Sequence, residues 1–579
     1  MAFRLEPVKN WRSYLPILDV LRRYRSGDFS HDAVAGVILG VITVPQAVAY
    51  AFLAGLPAEA GLYACLVPMI LYAILGSSRE LVVGPVAVAA LMVAATVKEF
   101  APAYSYEYLS ITTVISLQAG LLLWVLRLSR MGGIVNLMSH PVVSGFVNAA
   151  ALIIILSQLL PLIGQEAPVG AGTIGNLQAF IEGLTHINPA ALAIGVGSLL
   201  VLILVQRFAH RAISPFFRAQ PDGALNRTGP MFVVLLSVVA VVMFDLDNAF
   251  GVATVGAIPA GLPALTVPPF DPDLWIDLAP SSAIIALVAY VESFTVATML
   301  ATRRRQRVNS HQDLIALGAA NIGAAFTGAY PVAGSFSRSS VNYSAGARTP
   351  ISALVCAVVI IFTLLALTPL FERLPQAALA AIIAASVYSL MDFRSLRKDW
   401  DFYHHDVITH FVTMGFVLAT DVETGLLVGV AISIALFIRR SSRPTVTLIG
   451  RIPNSEIFRS SKRHKVETFV HVAAVRIDEN IYFANANQIE NRLLKVLQQK
   501  PRTRHLLLNL SAVNLIDVSG LEMLRRVNEN MRRMDIKLHL AEVKGKVLLA
   551  LEKTELPLAL SGSIFFSTDQ AMRDLSDRA

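Results

Sequence analysis

The chain has 579 residues, of which 55% are hydrophobic and only 15% charged, with a mean hydropathy of +0.60. A soluble domain carries roughly a quarter of its residues as charges, so this composition excludes a soluble globular protein and indicates a polytopic membrane protein. The net charge of +8 does not indicate nucleic acid, because Lys and Arg lie in short clusters between apolar runs, which fits membrane orientation better than a basic binding face.

In chain order, residues 1–31 are mixed and basic. They lack the early apolar core and small-residue cleavage site of a signal peptide, and are expected to stay in the cytoplasm. From Asp32 to Arg440 about fourteen apolar segments are predicted, at roughly twenty residues per bilayer crossing with some shorter ones. They cover 32–52, 60–77, 81–97, 108–127, 139–163, 187–206, 229–245, 281–301, 311–329, 333–346, 350–370, 375–391, 406–420 and 423–438. Cys65 and Cys356 both fall inside apolar runs, where a packed thiol is expected and no disulfide or thiolate metal site follows.

Loop charges support an even number of crossings. Loops after even-numbered segments hold roughly 15 Lys and Arg, among them Arg79, Arg127, Arg130, Arg207, Arg211, the run Arg303 to Arg307, Arg394, Arg397 and Lys398. Those after odd-numbered segments hold Lys98 and Arg373, and the long one at 246–280 is acidic. The asymmetry places both termini in the cytoplasm. Residues 441–466 are polar and basic and read as a linker. From 467 to 579 a soluble α/β unit is expected, with strands at "FVHVAAVRI", "IYFAN", "HLLLNLS" and "IKLHLAEV" and helices at Gln488–Gln499, Ser519–Met534 and Lys544–Glu552.

Two segments are poor transmembrane helices. The third contains "LVVGPVAVAALMV", broken by Gly84 and Pro85; the tenth contains "YPVAGSFSRSSVNY", with Pro331 and Gly334 at its start. Each reads as an extended stretch followed by a half-helix. If fourteen segments divide into seven plus seven, both are the third member of their half, and paired breaks of this kind point to a transporter site. A half-helix that begins at mid-membrane turns unpaired N–H groups and about half a positive charge into the cavity, which favours an anion. Ser335 and Ser337 add hydroxyl donors, and Arg338 adds a positive field that steers or binds the anion. The plainer alternative is small-residue packing with Arg338 snorkelling to the interface. Glu292, in "LVAYVESFTVATMLATRRR", is the other anomaly: a carboxylate in an apolar span is costly unless protonated, paired or hydrated. It reads as a proton or cation site beside the anion, or else as a structural carboxylate held by Arg338. Thr295, Thr298 and Thr302 extend a polar stripe from it.

At these residues the chain resembles the SulP anion permeases, the sulfate permease or solute carrier 26 family. The resemblance is carried by "DAVAGVILGVITVPQAVAYAFLAGLPAEAGLYACLVPMILYAILGSSRELVVGPVAV", by the stretch from "VESFTVATML" to "SAGARTP", and by "LMDFRSLRKDWDFYHHD". The soluble tail resembles a STAS domain at "LNLSAVNLIDVSGLEML". The resemblance implies a 7+7 inverted repeat whose core moves against a gate, and a homodimer. It also implies an anion site between the third and tenth segments, beside the first and eighth. Carried over residue by residue, Gln46 and Tyr50 correspond to first-segment contacts. Val86, Ala87, Ser335, Phe336, Ser337 and Arg338 correspond to the half-helix contributions. Glu292 corresponds to the acidic coupling position; family members similar to sodium-driven bicarbonate carriers carry aspartate-based cation sites there, whereas glutamate accords with the proton-coupled branch.

Other signals are set aside. Gly36 with Gly40 and Gly425 with Gly429 are GxxxG pairs that indicate close helix packing. His404, His405, Asp406 and His410 have spacing usable by a metal but read better as a hydrated helix entry. Ser519, in "DVSG", lies where STAS proteins of the anti-sigma-factor antagonist class are phosphorylated; a helix N-cap is the alternative. No phosphate-binding G-x-x-x-x-G-K-[ST] occurs, so ATP-driven transport has no support.

The expected protein is therefore a polytopic α-helical membrane protein with a C-terminal α/β STAS domain. It is read as a secondary active anion transporter of the cytoplasmic membrane that takes up sulfate or a related oxyanion or carboxylate with protons and requires no cofactor or metal. The alternatives are sodium-coupled bicarbonate uptake, uncoupled exchange or channel conduction, and a membrane-anchored regulator with vestigial transport. The last is disfavoured because a vestigial pore would not need polar half-helices in lipid.

Overall fold

The computed structural model describes residues 15–131, 140–213, 229–391, 404–420 and 422–576. Residues 392–403, with Arg394, Arg397 and Lys398, lie outside them. The chain forms two compact units, Met1–Ile432 and Ser433–Ala579.

In the first unit a short helix α1 (Pro16–Arg23) precedes α2 (Ser26–Leu53). The second segment is two helices, α3 (Ala58–Ala64) and α4 (Val67–Leu75), and the third is a strand β1 (Val83–Gly84) followed by α5 (Ala87–Val97). Next come α6 (Tyr106–Leu128), α7 (His140–Leu162), an unpredicted helix α8 (Thr173–Gly183), α9 (Pro189–Ile213), α10 (Gly229–Phe244) and the short α11 (Leu246–Phe250). The second half runs α12 (Pro272–Arg303), α13 (Ser310–Phe326), β2 (Ala333–Gly334) with α14 (Phe336–Ser344), α15 (Ile351–Phe362) continuing to α16 (Thr368–Glu372), and α17 (Gln376–Tyr388). It closes with α18 (His404–Ala419) and α19 (Val422–Ser441). Among the described residues every predicted segment contains helix, and eight helical stretches, counting α3–α4 and α15–α16 each as one, are both long and apolar enough to cross a membrane.

Boundaries differ where capping extends an apolar run into polar sequence. Helix α12 begins nine residues before the predicted 281, because the Asp271 side chain accepts from Asp273 N at 3.1 Å and Pro272 occupies the first turn. Successive crossings alternate direction, so one face of the unit, where α2 starts, carries the ends of even-numbered segments. This is the N-terminal face; the other is the far face.

The helices pack in two groups. One holds α2 to α6 with α12 to α15; the other holds α7, α9, α10, α17 and α18. The GxxxG pairs seat helices at close range, as expected. A Cβ on Gly36 would lie 2.5 Å from Ser352 O, and one on Gly40 2.7 Å from Val359 Cβ, so α2 lies directly on α15. Likewise a Cβ on Gly425 would meet Val417 Cγ2 at 2.4 Å and one on Gly429 would meet Thr413 Oγ1 at 2.5 Å, which fixes α19 to α18 in the second group.

The second unit is a six-stranded sheet of order β4-β3-β5-β6-β7-β8. Strands β5 (Val472–Ile477), β6 (His505–Asn509), β7 (Lys537–Ala541) and β8 (Ile564–Phe565) are parallel. Strands β3 (Val446–Arg451) and β4 (Phe458–Ser460) add antiparallel at one edge. The stretch read as a linker, 441–466, therefore contains two strands of this sheet. Period-two alternation sorts the core: Ala473, Val475, Leu506, Leu508, Leu538 and Leu540 pack beneath α20 (Ala486–Gln499), α21 (Val518–Arg533) and α22 (Gly545–Glu552). Beyond α23 (Leu556–Ala559), α24 (Thr568–Ser576) covers Val472, Ala474 and Leu507 on the other face. The expected strand at "IYFAN" is absent. Ile481 alone pairs, with Ile516, and Tyr482 N then donates to Asn485 Oδ1 at 3.1 Å in a turn that leads into α20.

Candidate functional site

The two interrupted segments meet in the middle of the first unit. β1 and β2 pair antiparallel, Val83 opposite Gly334 and Gly84 opposite Ala333. Ser335 N donates to Val82 O at 3.0 Å, and Val82 N donates to Ser339 Oγ at 2.9 Å. The crossing needs glycine for space: a Cβ on Gly334 would lie 2.7 Å from Leu81 Cδ1, and one on Gly84 3.2 Å from Arg338 Nη2. Pro85, lacking an N–H, ends the pairing. Helix α5 then runs to the far face and α14 to the N-terminal face, so both begin at the crossing.

Their first turns differ. Val86 caps α5 with extended backbone and no side-chain hydrogen bond. The N–H groups that open α5, starting at Ala87, thus have no side-chain cap. In α14 the Ser335 side chain accepts from Arg338 N at 3.4 Å. Val86 packs with Ala89, Ala333 and Ala289 of α12, and one turn further along α12 Ser293 Oγ accepts from Gly334 N at 2.7 Å. Helix α12 is thereby fastened to the crossing beside Glu292.

Arg338 lies behind this arrangement. It is the largest wholly buried side chain among the described residues; Nη2 donates to Pro85 O at 2.6 Å and Nη1 approaches Cys65 Sγ at 4.0 Å. The guanidinium braces the entry to α5 from within the core and neither snorkels nor reaches the adjoining cavity. Glu292 is half-buried on α12 and within electrostatic range of Arg338, but makes no ion pair with it. The Tyr50 phenol, buried on α2, senses both charges and Ser386 of α17. Gln46 is 3% exposed, with Nε2 donating to Ser386 Oγ at 3.4 Å and Oε1 without a partner.

A cavity of about 380 Å³ opens beside the crossing on the N-terminal-face side. Gln46, Phe336 and Ser337 line it with Gln206, Ser386 and Ser389, whereas Tyr50, Val86, Ala87, Glu292, Ser335 and Arg338 are not among its lining residues. A second cavity of about 330 Å³ lies on the far side, against Leu53, Leu91, Gln158 and Ala380. The two share α17 as a wall.

Some expectations need correction. The threonine stripe beyond Glu292 does not face the site: Thr295 and Thr302 are exposed, and their hydroxyls bond back to Val291 O at 2.7 Å and Thr298 O at 2.8 Å. Ser519 is not the cap of α21; Asp517 accepts from Gly520 N at 2.8 Å, and Ser519 stands exposed in the first turn. His410 approaches Asn148 of α7, Nε2 to Nδ2, at 3.3 Å.

Sequence reasoning overlooked three further buried carboxylates in the first unit. Asp32 accepts from Arg348 N at 2.7 Å and Thr349 N at 3.1 Å, Asp313 from Ser77 N at 3.0 Å and Tyr72 Oη at 3.2 Å, and Glu80 pairs with Arg304 at 3.2 Å. Each is held in place, whereas Glu292 has no hydrogen-bond or ion-pair partner among the described residues. A polar loop opposite each carboxylate was the available signal.

Comparison with known proteins gives a consistent context. Residues 29–413 match the model of the sulfate permease family and residues 464–572 that of the STAS domain. Sulfate transporter 4.1, chloroplastic, of Arabidopsis thaliana is 33% identical over 95% of this chain and 81% of its own length. High affinity sulfate transporter 2 of Stylosanthes hamata is 29% identical over 96% and 85%. The structure of murine solute carrier 26 family member A9, an anion transporter in the inward-facing state, superposes with a TM-score of 0.89 at 22% identity, covering 100% of this chain and 97% of that one. The transmembrane domain of a cyanobacterium bicarbonate transporter, BicA, gives 0.58 at 22% identity over 71% and 98%.

Proposed function

The chain belongs to the sulfate permease family, a family of membrane transporters and not of enzymes, and from that premise we propose that it is a secondary active anion transporter, importing sulfate or a related oxyanion or carboxylate together with protons. The observation that carries the reading is the crossing of β1 and β2. Two half-helices begin there, the first turn of α5 has no side-chain cap, and Glu292, a carboxylate without a hydrogen-bond or ion-pair partner among the described residues, stands beside them.

The anion binds at the start of α5 and α14, where N–H groups and helix dipoles offset its charge. Ser337 and Gln46 supply side-chain donors on the cavity side, and Val86, Ala87 and Phe336 shape the backbone cradle. Arg338 holds Pro85 O and adds a fixed positive field from behind the crossing. Glu292 takes up the coupling proton. Occupied by both, the site is close to electrically neutral and crosses more readily than with either ion alone. Tyr50 and Gln46 link this core to Ser386 on the second helix group, and movement of one group against the other alternates access.

Loop charges assign the N-terminal face to the cytoplasm, so the 380 Å³ cavity is the inward pathway, in the cytoplasmic membrane with both termini inside. The transmembrane domain is taken as 32–440, the STAS unit that follows it includes strands β3 and β4, and the functional unit is a homodimer. Ser519 is the regulatory position of the STAS unit, because the first turn of a helix accommodates added negative charge. Uptake by purified protein in liposomes tests the reading. Labelled sulfate, bicarbonate and a dicarboxylate are each offered with an inward proton or an inward sodium gradient. Proton-driven accumulation of one anion supports it; accumulation of bicarbonate with sodium alone replaces it with sodium-coupled bicarbonate uptake.

A further inference from the structure

We infer that Glu423 couples the two helix groups at the far face, fastening the second group to the outer ends of the two elements that carry the proposed anion and proton sites and so holding the outer entrance shut. The inference rests on the transport reading above and adds a residue to it.

Glu423 opens α19, which is fixed to α18 through Gly425 and Gly429 and therefore moves with the second group. Its Oε1 accepts from Thr96 Oγ1 at 2.7 Å, and its Oε2 accepts from Ser281 Oγ at 2.8 Å. Thr96 lies at the far end of α5, whose first turn faces the crossing. Ser281 lies on α12, about three turns before Glu292. One carboxylate thus ties the second group to both working elements of the first. The Thr96 hydroxyl has one proton and a second acceptor within reach, Met92 O at 2.9 Å; the carboxylate is closer and charged, which favours it. A neighbouring link crosses the same rim, Lys98 Nζ donating to Gly170 O at 2.7 Å.

Exposure of the site to the far side requires the groups to part there, and both bonds to Glu423 must then break. A hydrogen bond to a charged acceptor is worth roughly a ten-fold factor or more in an equilibrium constant. Losing the carboxylate therefore raises the population open to the far side by about that factor.

The test uses Ala380, which lines the far-side cavity and is 1% exposed. In full-length protein in intact cells, Ala380→Cys is labelled with a membrane-impermeant maleimide added outside, and the labelling of the parent, whose Cys65 and Cys356 are buried, is subtracted. The labelling rate is expected to rise about ten-fold with Glu423→Ala. The combination Thr96→Val with Ser281→Ala, which keeps the carboxylate and removes its donors, is expected to match it. Unchanged labelling in that double variant overturns the inference, and it decides alone if Glu423→Ala elutes as misfolded protein. Labelling needs no ion gradient, so failure of proton coupling in the uptake assay and failure of this inference are separately visible.

Discussion

Replacing Arg338 separates its two proposed contributions. In Arg338→Met the side chain keeps much of its length and loses its charge and its donors, so the 2.6 Å bond to Pro85 O disappears. A hydrogen bond from a charged donor contributes about 1.5–3 kcal/mol, and the carbonyl left behind is wholly enclosed. The field term is separate: a full charge about 10 Å from an anion is worth about 1.7 kcal/mol at an effective dielectric of about 20, or roughly fifteen-fold in affinity. Arg338→Lys restores the charge without the planar fork. The expectation is that both variants melt earlier than the parent in a fluorescence-detected gel-filtration assay, whereas the apparent anion affinity in liposome uptake falls about fifteen-fold in Met and much less in Lys. Equal loss of affinity in Lys and Met would refute the field argument. Parent-like melting in both would refute the brace.

Glu292→Gln should retain anion exchange and lose acceleration by an inward proton gradient; uptake that still follows the gradient removes Glu292 from the coupling role. Gly334→Ala places a Cβ 2.7 Å from Leu81 Cδ1 and 3.1 Å from its Cγ, so the buried Leu81 side chain or the β1–β2 crossing must shift, and uptake should fall several-fold while the protein still inserts; normal uptake would show that Leu81 alone absorbs the added methyl. In the soluble unit, burial lowers the pKa of Lys500, whose Nζ donates to Phe469 O at 3.1 Å. The folded state then binds this proton less tightly than the unfolded one, so the penalty is present while Lys500 is charged and is relieved as pH rises through the lowered pKa. Urea denaturation of the full-length protein followed across alkaline pH should show this rise, and Lys500→Met should flatten it.

The membrane segments were legible because lipid imposes length and apolarity on each crossing, and the two broken ones because Gly-Pro and Pro-x-x-Gly cannot continue a helix in either direction. What sequence could not show is the direction of a side chain. Arg338 points inward because Gly84 and Cys65 leave room behind β1, a matter of packing between segments some 250 residues apart. The threonines beyond Glu292 have the spacing of a stripe, yet back-bonding to their own helix satisfies them without a partner. Strands β3 and β4 were hidden because an antiparallel edge in a basic, serine-rich stretch has little hydrophobic signal, and β3 is tied to the rest of the sheet only through β5, which follows in the sequence. Glu423 looked like an ordinary helix-start acid; its partners, Thr96 and Ser281, come from two distant segments.

One anion is proposed to enter with protons through a site built on the β1–β2 crossing. The most direct measurement is uptake of labelled sulfate by purified parent and Glu292→Gln protein in liposomes, with an inward proton gradient, an inward sodium gradient, or neither. Concentrative uptake with protons alone is expected in the parent, and only exchange in the variant. Uptake driven by sodium alone, or proton-driven uptake equal in both proteins, would contradict it.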